Sequence, residues 1–485
     1  MDLGSGSMIT DLSQISSHNE GPYLPSTSSL DDLMKQQVNT TKGKRLWDGN
    51  ANATSPFSTV SLMKLAKDRL LRIKSRNFGS GAVSLLLASE LEAQSESEVP
   101  VEAAEDVELA LLLQAAAEKV ANQQWVQAQK LLTLCDLSAS INGNPVQRVV
   151  YYFSEGLRER IVRESGIFVA EEFGEKLKMN KPVDVQQAEN RLQPDWMECQ
   201  QEFAYLAWQS AGIQAILDAV ECSKRIHLID FGIGNGSHWS LIMQSFANRH
   251  DCPLEILKIT AVGSSKEMLE GVGNQLSSFA KSLQLPFEFL MVISELKDLK
   301  QDHFDLQCDE AVAIYSEFRL STQLVWPNHL EALLQTVRNI NPGIMVIMEF
   351  EATVNTREFL ERFHELLIFC SAVFDSLKHT LEHRPMCRKW MEQVLFRRMI
   401  GNMVATEGSQ RLFRYERIGF WRELLAKYGM METEFSSLAV TQADILLKRC
   451  NNSSSCRLNL DGKSLIFGWG ETSTKSVSAW KFKDH

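Results

Sequence analysis

The chain has no apolar run that approaches the roughly 20 residues a membrane-spanning helix needs, so no bilayer-crossing segment is expected. Its start, MDLGSGSMIT, lacks the basic residues and apolar stretch of a secretory leader, and none is expected. It has no Cys-x-x-Cys pair, and its nine cysteines lie scattered between Cys135 and Cys456. An odd, dispersed set points away from a disulfide framework and towards reduced thiols. Excess positive charge is missing too. The 61 acidic residues outnumber the 50 basic ones, for a net charge of −11. Affinity for nucleic acid comes largely from neutralising phosphates, so this balance excludes a protein that grips nucleic acid over its whole surface. It leaves a local basic patch open. What is present is an ordinary globular composition, 485 residues with 44% hydrophobic and 23% charged, enough for one large core or two smaller ones.

Residues 1–105 differ from the rest. SSHNEGPYLPSTSSL and NANATSPFSTVS are rich in Ser, Thr, Asn, Gly and Pro without apolar periodicity, and a disordered tail is expected. One island within it, SLMKLAKDRLLRIKSR from Ser61 to Arg76, puts Leu62, Leu65, Leu70 and Ile73 on one face with Lys and Arg around them. It reads as a transient basic amphipathic helix, with a partner-binding or import segment as the sharper alternative. ASELEAQSESEVPVEAAED then forms an acidic linker.

Helical patterns dominate from Val107 to about Val220, with a break near Asn122 and a helix start at Asn144-Pro145. The period then changes. RIHLIDF, LEILKITAV, PFEFLMV, AVAIYS and GIMVIMEF are short apolar runs separated by helical segments. Such alternation predicts an α/β fold with a doubly wound parallel sheet covered on both faces. After a helical region from Thr356 to about Tyr428, SLIFGWG and SVSAWKF read as an antiparallel strand pair. Five alternating units closed by antiparallel strands is the layout of class I methyltransferases.

The first strand ends at Asp230, and Gly232, Gly234 and Gly236 follow at alternate positions. Small residues between a strand and a helix let backbone approach a ligand, so this loop is a candidate site for S-adenosylmethionine or another nucleotide-like molecule. A tight turn needs glycine with or without a ligand. The next strand favours the plain turn. Gly263 stands where such enzymes commonly carry a ribose-binding acid, no Asp/Asn-Pro-Pro-aromatic motif follows the fourth strand, and Glu317 there reads as a surface carboxylate.

Three other patterns are weighed and discounted. His379-Thr-Leu-Glu382-His383 has zinc-peptidase spacing, but Pro385 disturbs the helix and no third acidic ligand is identifiable, so no metal is expected. Leu109-x-x-Leu112-Leu113 and Leu330-x-x-Leu333-Leu334 read as core leucines rather than docking motifs, with an exposed Leu109–Leu113 face as an alternative. RLFRYERIGFWREL interleaves Arg411, Arg414 and Arg417 with Phe413 and Trp421. Arg411 and Arg414 would suit DNA contacts, but internal ion pairs with Glu407, Glu416 and Glu423 are the preferred reading.

One resemblance covers nearly everything from Val107 to Phe482. IHLID, with Ile226, His227, Leu228, Ile229 and Asp230, is similar to the VHIID core of the plant GRAS (Scarecrow-like) family. LALLLQAAAEKVANQQWVQAQKLL resembles that family's first leucine-rich region, and MLEGVGNQLSSFAKSLQLPFEFLMV its second. FLERFHELLIFCSAVFDSL with RRMIGNMVATEGSQRLFRYERIGFWRELL resembles the PFYRE region, and Ser478-Ala479-Trp480 matches the terminal SAW motif. The resemblance implies a GRAS domain over 106–482, divided at 107–166, 196–262, 267–300, 310–403 and 404–482, with a Rossmann-like, class I methyltransferase-like core under an N-terminal helical cap. It implies a non-enzymatic nuclear regulator of transcription without a cofactor, in plant development or hormone signalling. Such a protein would dimerise with GRAS proteins through the leucine-rich regions and act through DNA-binding transcription factors, with DNA contact indirect or weak. Neither a DELLA tetrapeptide nor VHYNP is present, so a degron of that type is not expected.

Overall fold

The computed structural model describes residues 57–75, 101–166, 203–249, 251–450 and 452–483. The four inner apolar runs become parallel strands buried on both faces, where an alternating pattern would leave half of each strand polar, and the fifth forms a partly exposed edge. They are β1 (Arg225–Asp230), β2 (Ile256–Gly263), β3 (Phe287–Ile293), β4 (Ala311–Glu317) and β5 (Ile344–Phe350), each within two residues of the run that predicted it. Four antiparallel strands follow: β6 (Met430–Thr433), β7 (Cys456–Asp461), β8 (Ser464–Trp469) and β9 (Thr472–Phe482). The sheet runs β3-β2-β1-β4-β5-β9-β8-β7, with β6 also paired to β9. This is the expected doubly wound order, centred on β1 and β4. The sequence reading named only β8 and β9 as its antiparallel closure; β6 and β7 are additions.

The cap is built from α1 (Thr59–Ser75), α2 (Val101–Ala121), α3 (Trp125–Cys135) and α4 (Pro145–Ser165). Asn144 starts α4 with a capping box: its side chain accepts from Gln147 N–H, and Gln147 returns the bond to Asn144 N–H. Pro145 follows at the first helical position, where a missing N–H costs nothing. These helices share one core with two later ones, α9 (Phe359–Thr380) and α11 (Arg397–Ala405).

The expectation of a disordered tail to residue 105 fails for 59–75 and for 101–105, where α2 begins. Leu62, Met63, Leu70 and Ile73 of α1 are buried in that core, and Leu65 packs on its edge. Burial of each large side chain contributes roughly 1.5–3 kcal/mol, which holds a helix too short to persist alone. Asp375 of α9 fixes its start by accepting the Thr59 N–H at 2.8 Å. The apolar face of α1 is therefore a core surface, not a free docking face. Residues 1–56 and 76–100 of the expected tail lie outside the described residues. Leu109, Leu112 and Leu113 are likewise buried, which removes the alternative of an exposed face there. Leu330, Leu333 and Leu334 are buried on α8 (Pro327–Ile340), as expected. Among the described residues, Cys135, Cys222, Cys252, Cys308, Cys370 and Cys456 are free thiols.

Candidate functional site

The chain leaves β1 at Asp230 and enters α6 (Ser237–Ala247) through the glycine turn. Gly234 has φ +53° and Gly236 φ +68°, a region that side-chain-bearing residues enter only at a cost. A Cβ on Gly236 would also lie 2.8 Å from Val272 Cγ1 on α7 (Lys266–Ser282), which packs against the turn. Gly232 lets the Arg319 side chain cross directly over the backbone.

Asp230 is fully buried. One carboxylate oxygen accepts the Gly232 N–H at 2.8 Å. The other accepts the Trp239 indole N–H at 2.8 Å and lies 3.0 Å from His238 Nε2. His238 stacks on Tyr315 at 5.0 Å. The acid that would begin a cofactor site is thus tied to the loop that follows it. Gly263, at the end of β2, offers no side chain for ribose hydroxyls.

The rest of the IHLID motif is also interior. Ile226, Leu228 and Ile229 are fully buried. His227 lies 2.7 Å from Thr260 Oγ1 and 3.2 Å from Glu310, and the Glu310 carboxylate also meets Lys258 Nζ at 2.7 Å. Burial pushes the His227 pKa down to about 4, so the imidazole is neutral at physiological pH. Ser478, Ala479 and Trp480 of β9 are buried, and the Trp480 indole donates to Ser478 Oγ at 2.8 Å.

The basic–aromatic segment is partly buried, with Leu412 and Arg417 exposed, and its partners are other than those expected. Arg411, 3% exposed, donates to the main-chain carbonyls of Val354, Asn355 and Thr356. Burial, reinforced by neighbouring Arg362 and Arg414, pushes its pKa down to about 10. Arg414 donates to Asn355 Oδ1 and Gly408 O, at 2.6 and 2.7 Å. Glu407 instead binds Arg160 and Arg362, and Arg417 pairs with Glu365 rather than Glu416 or Glu423. An Arg411 held in this way is out of reach of a DNA duplex. His379 stacks on Trp469 at the end of α9, and among the described residues no cluster of His, Cys, Asp and Glu fits a metal ion.

A cavity of about 470 Å³, unmarked in the sequence, lies between the carboxyl ends of β1, β4 and β5 and the helices above. Its floor includes Gly232, Gly234 and the Glu317–Arg319 segment, and its roof comes from α9, a π-helical turn at Met391–Phe396, and α11. Trp208 closes one side from α5 (Phe203–Ala219), facing Lys475 of β9. No lining residue comes from β2. Glu317 is no surface carboxylate: it accepts from the hydroxyls of Tyr205 (2.6 Å) and Tyr315 (3.2 Å) and from the Gln209 amide (3.2 Å). Phe318 takes φ +53°, rare for so bulky a residue, and stacks on Phe350 at 4.4 Å. Nothing in the local sequence marks these residues, because the fold alone brings them together.

A model described as the GRAS domain family matches residues 109–481. The chain belongs to the GRAS domain family. DELLA protein RGL3 of Arabidopsis thaliana is 32% identical over 382 residues, covering 77% of this chain and 69% of that protein. DELLA protein 1 of Medicago truncatula is 30% identical over 392 residues, covering 77% of this chain and 63% of its own length. The crystal structure of SCL7 from Oryza sativa covers 77% of this chain and 99% of its own, with a TM-score of 0.65 and 24% identity, and shows the same fold. The GRAS motifs of this chain, IHLID and the Ser-Ala-Trp triplet, are therefore core elements. Neither presents a reactive group to solvent.

Proposed function

We propose that this GRAS protein is a nuclear regulator of transcription in plant development or hormone signalling, acting through contacts with DNA-binding transcription factors rather than by catalysis. The family match across 109–481, with relatives named as DELLA proteins, carries this reading. The site geometry supports it. Asp230 is occupied by its own loop, the ribose acid is replaced by Gly263, and Arg411 is committed to main-chain carbonyls. With a net charge of −11, the chain meets DNA weakly and indirectly.

The two leucine-rich regions, taken as 107–166 and 267–300 within a domain of 106–482, leave apolar residues uncovered. Val126, Leu134 and Leu137 (80% exposed) lie on and just after α3, and Met291 and Ile293 (50% exposed) lie on the edge strand β3. These faces suit a GRAS partner in a homo- or heterodimer, or the transcription factor itself.

The test is capture of DNA-binding transcription factors from plant nuclei by wild type and by Leu134→Glu/Leu137→Glu. The variant loses the captured factors while melting like wild type. A specific promoter fragment shifted by the purified protein alone at physiological salt would overturn the indirect model.

A further inference from the structure

The cavity under the cap has a charge balance opposite to that of the whole chain. Arg319, Arg398, Arg414 and Lys475 line it, against one carboxylate, Glu317. That carboxylate is already held by three donors from Tyr205, Gln209 and Tyr315. Lys475 Nζ lies over the Trp208 ring at 4.1 Å and 5.9 Å from the Phe350 ring centroid. No carboxylate reaches ion-pair distance of it among the described residues. A cation held between aromatic faces in an enclosed space keeps much of its electrostatic demand unmet. Burial pushes the Lys475 pKa down to about 8 against the opposing pull of Glu317, and an anion directly beside it would raise it further.

The remaining wall is mostly apolar, with Val373 and Leu377 of α9 facing Leu395, Met399 and Phe413. A volume of about 470 Å³ falls within the roughly 300–1,000 Å³ typical of small-molecule sites. Two irregularities sit in these walls: the left-handed Phe318, and the π-helical turn that carries Met391 and Leu395. Both kinds of feature concentrate at functional sites, because a packed core otherwise eliminates them. A nucleotide fits poorly, since no group from β2 is placed to meet a ribose.

We infer that this cavity binds an apolar small molecule bearing a single carboxylate, with Lys475 as the partner of its charge and the α9–π-turn wall enclosing its hydrocarbon. This assignment does not rest on the transcriptional reading, and it would give the regulator a chemical input.

The test is calorimetry of the full chain with decanoate and with uncharged decanamide. Saturable binding of one decanoate per chain is expected, with decanamide at least tenfold weaker. Lys475→Met should weaken decanoate at least tenfold, leave decanamide unchanged, and melt no lower than wild type, since it removes a half-buried cation that no carboxylate pairs at ion-pair distance. Ser376→Phe, which fills the cavity from a half-buried position on α9, should weaken both ligands. No saturable decanoate binding, equal affinity for the two probes, or undiminished decanoate binding to Lys475→Met would each overturn the assignment.

Discussion

Asp230→Asn keeps the shape of the side chain and removes one acceptor oxygen. In the native loop the carboxylate faces three groups: Gly232 N–H, the Trp239 indole N–H and His238 Nε2. The amide has one oxygen. If it keeps Gly232, its NH2 opposes the Trp239 N–H, donor against donor. If it turns over, Gly232 N–H is left without a partner. His238 escapes by changing tautomer; the other two cannot. One orphaned buried donor costs about 1–3 kcal/mol, and loss of the charge from the surviving bonds adds about 1 kcal/mol, for a total of roughly 2–4 kcal/mol. For a domain of this size about 2 °C of melting temperature accompanies each kcal/mol, so a fall of roughly 4–8 °C is expected in thermal denaturation. Transcriptional output should fall with it. A variant that melts within about 1 °C of wild type while losing output would refute the reasoning and assign Asp230 to a ligand or partner.

Gly236→Ala should lower stability more than Gly234→Ala in urea denaturation, because both enter the left-handed region but only the first also meets Val272; equal losses would contradict this. Trp480→Ala should cost about 3–5 kcal/mol, since the ring is 1% exposed, whereas a variant that melts normally yet drops a partner would place the residue at an interface. Burial raises the Glu349 pKa to about 7, above its ordinary 4.5. The folded state therefore holds this proton more tightly, and the resulting stability is full below pH 4.5 and lost as pH rises through about 7. Glu349→Gln should remove about 3 kcal/mol of that decline between pH 5 and 8; an unchanged stability–pH profile would show the carboxyl to be ordinary.

Four of the five parallel strands were legible because burial on both faces writes an unbroken apolar run, as in Ile226–Ile229 and Ile344–Met348, and the edge strand β3 was legible from its apolar composition alone. β7 escaped because it is an edge strand with only Leu458 and Leu460 alternating in a polar stretch, although the Asp461-Gly462 turn that joins it to β8 was a usable signal. The amphipathic pattern of α1 was visible, but not what covers it: its partners, α2 and α9, lie elsewhere in the chain. The Arg411 partners failed for a related reason. Main-chain carbonyls carry no sequence signature, so charge matching suggested Glu residues where the fold supplies Val354, Asn355 and Thr356. Asp230 and the glycines were found as a unit, and only the geometry distinguished a self-bonded turn from a ligand loop.

β9 sits between β5 and β8 and pairs with β6 as well, although it is the latest of these strands to leave the ribosome. Until residues 472–482 are made, β5 has an unpaired edge, and the β7–β8 hairpin and β6 have nothing to join. The growing chain therefore carries an open, apolar sheet edge from the completion of β5 at residue 350 until β9 is made, a state that chaperones must cover. A premature stop between residues 231 and 472 would yield a polypeptide that contains the cap helices and the IHLID strand yet cannot close its sheet. Such alleles should behave as recessive nulls through degradation, not as dominant fragments that retain half of the protein's contacts.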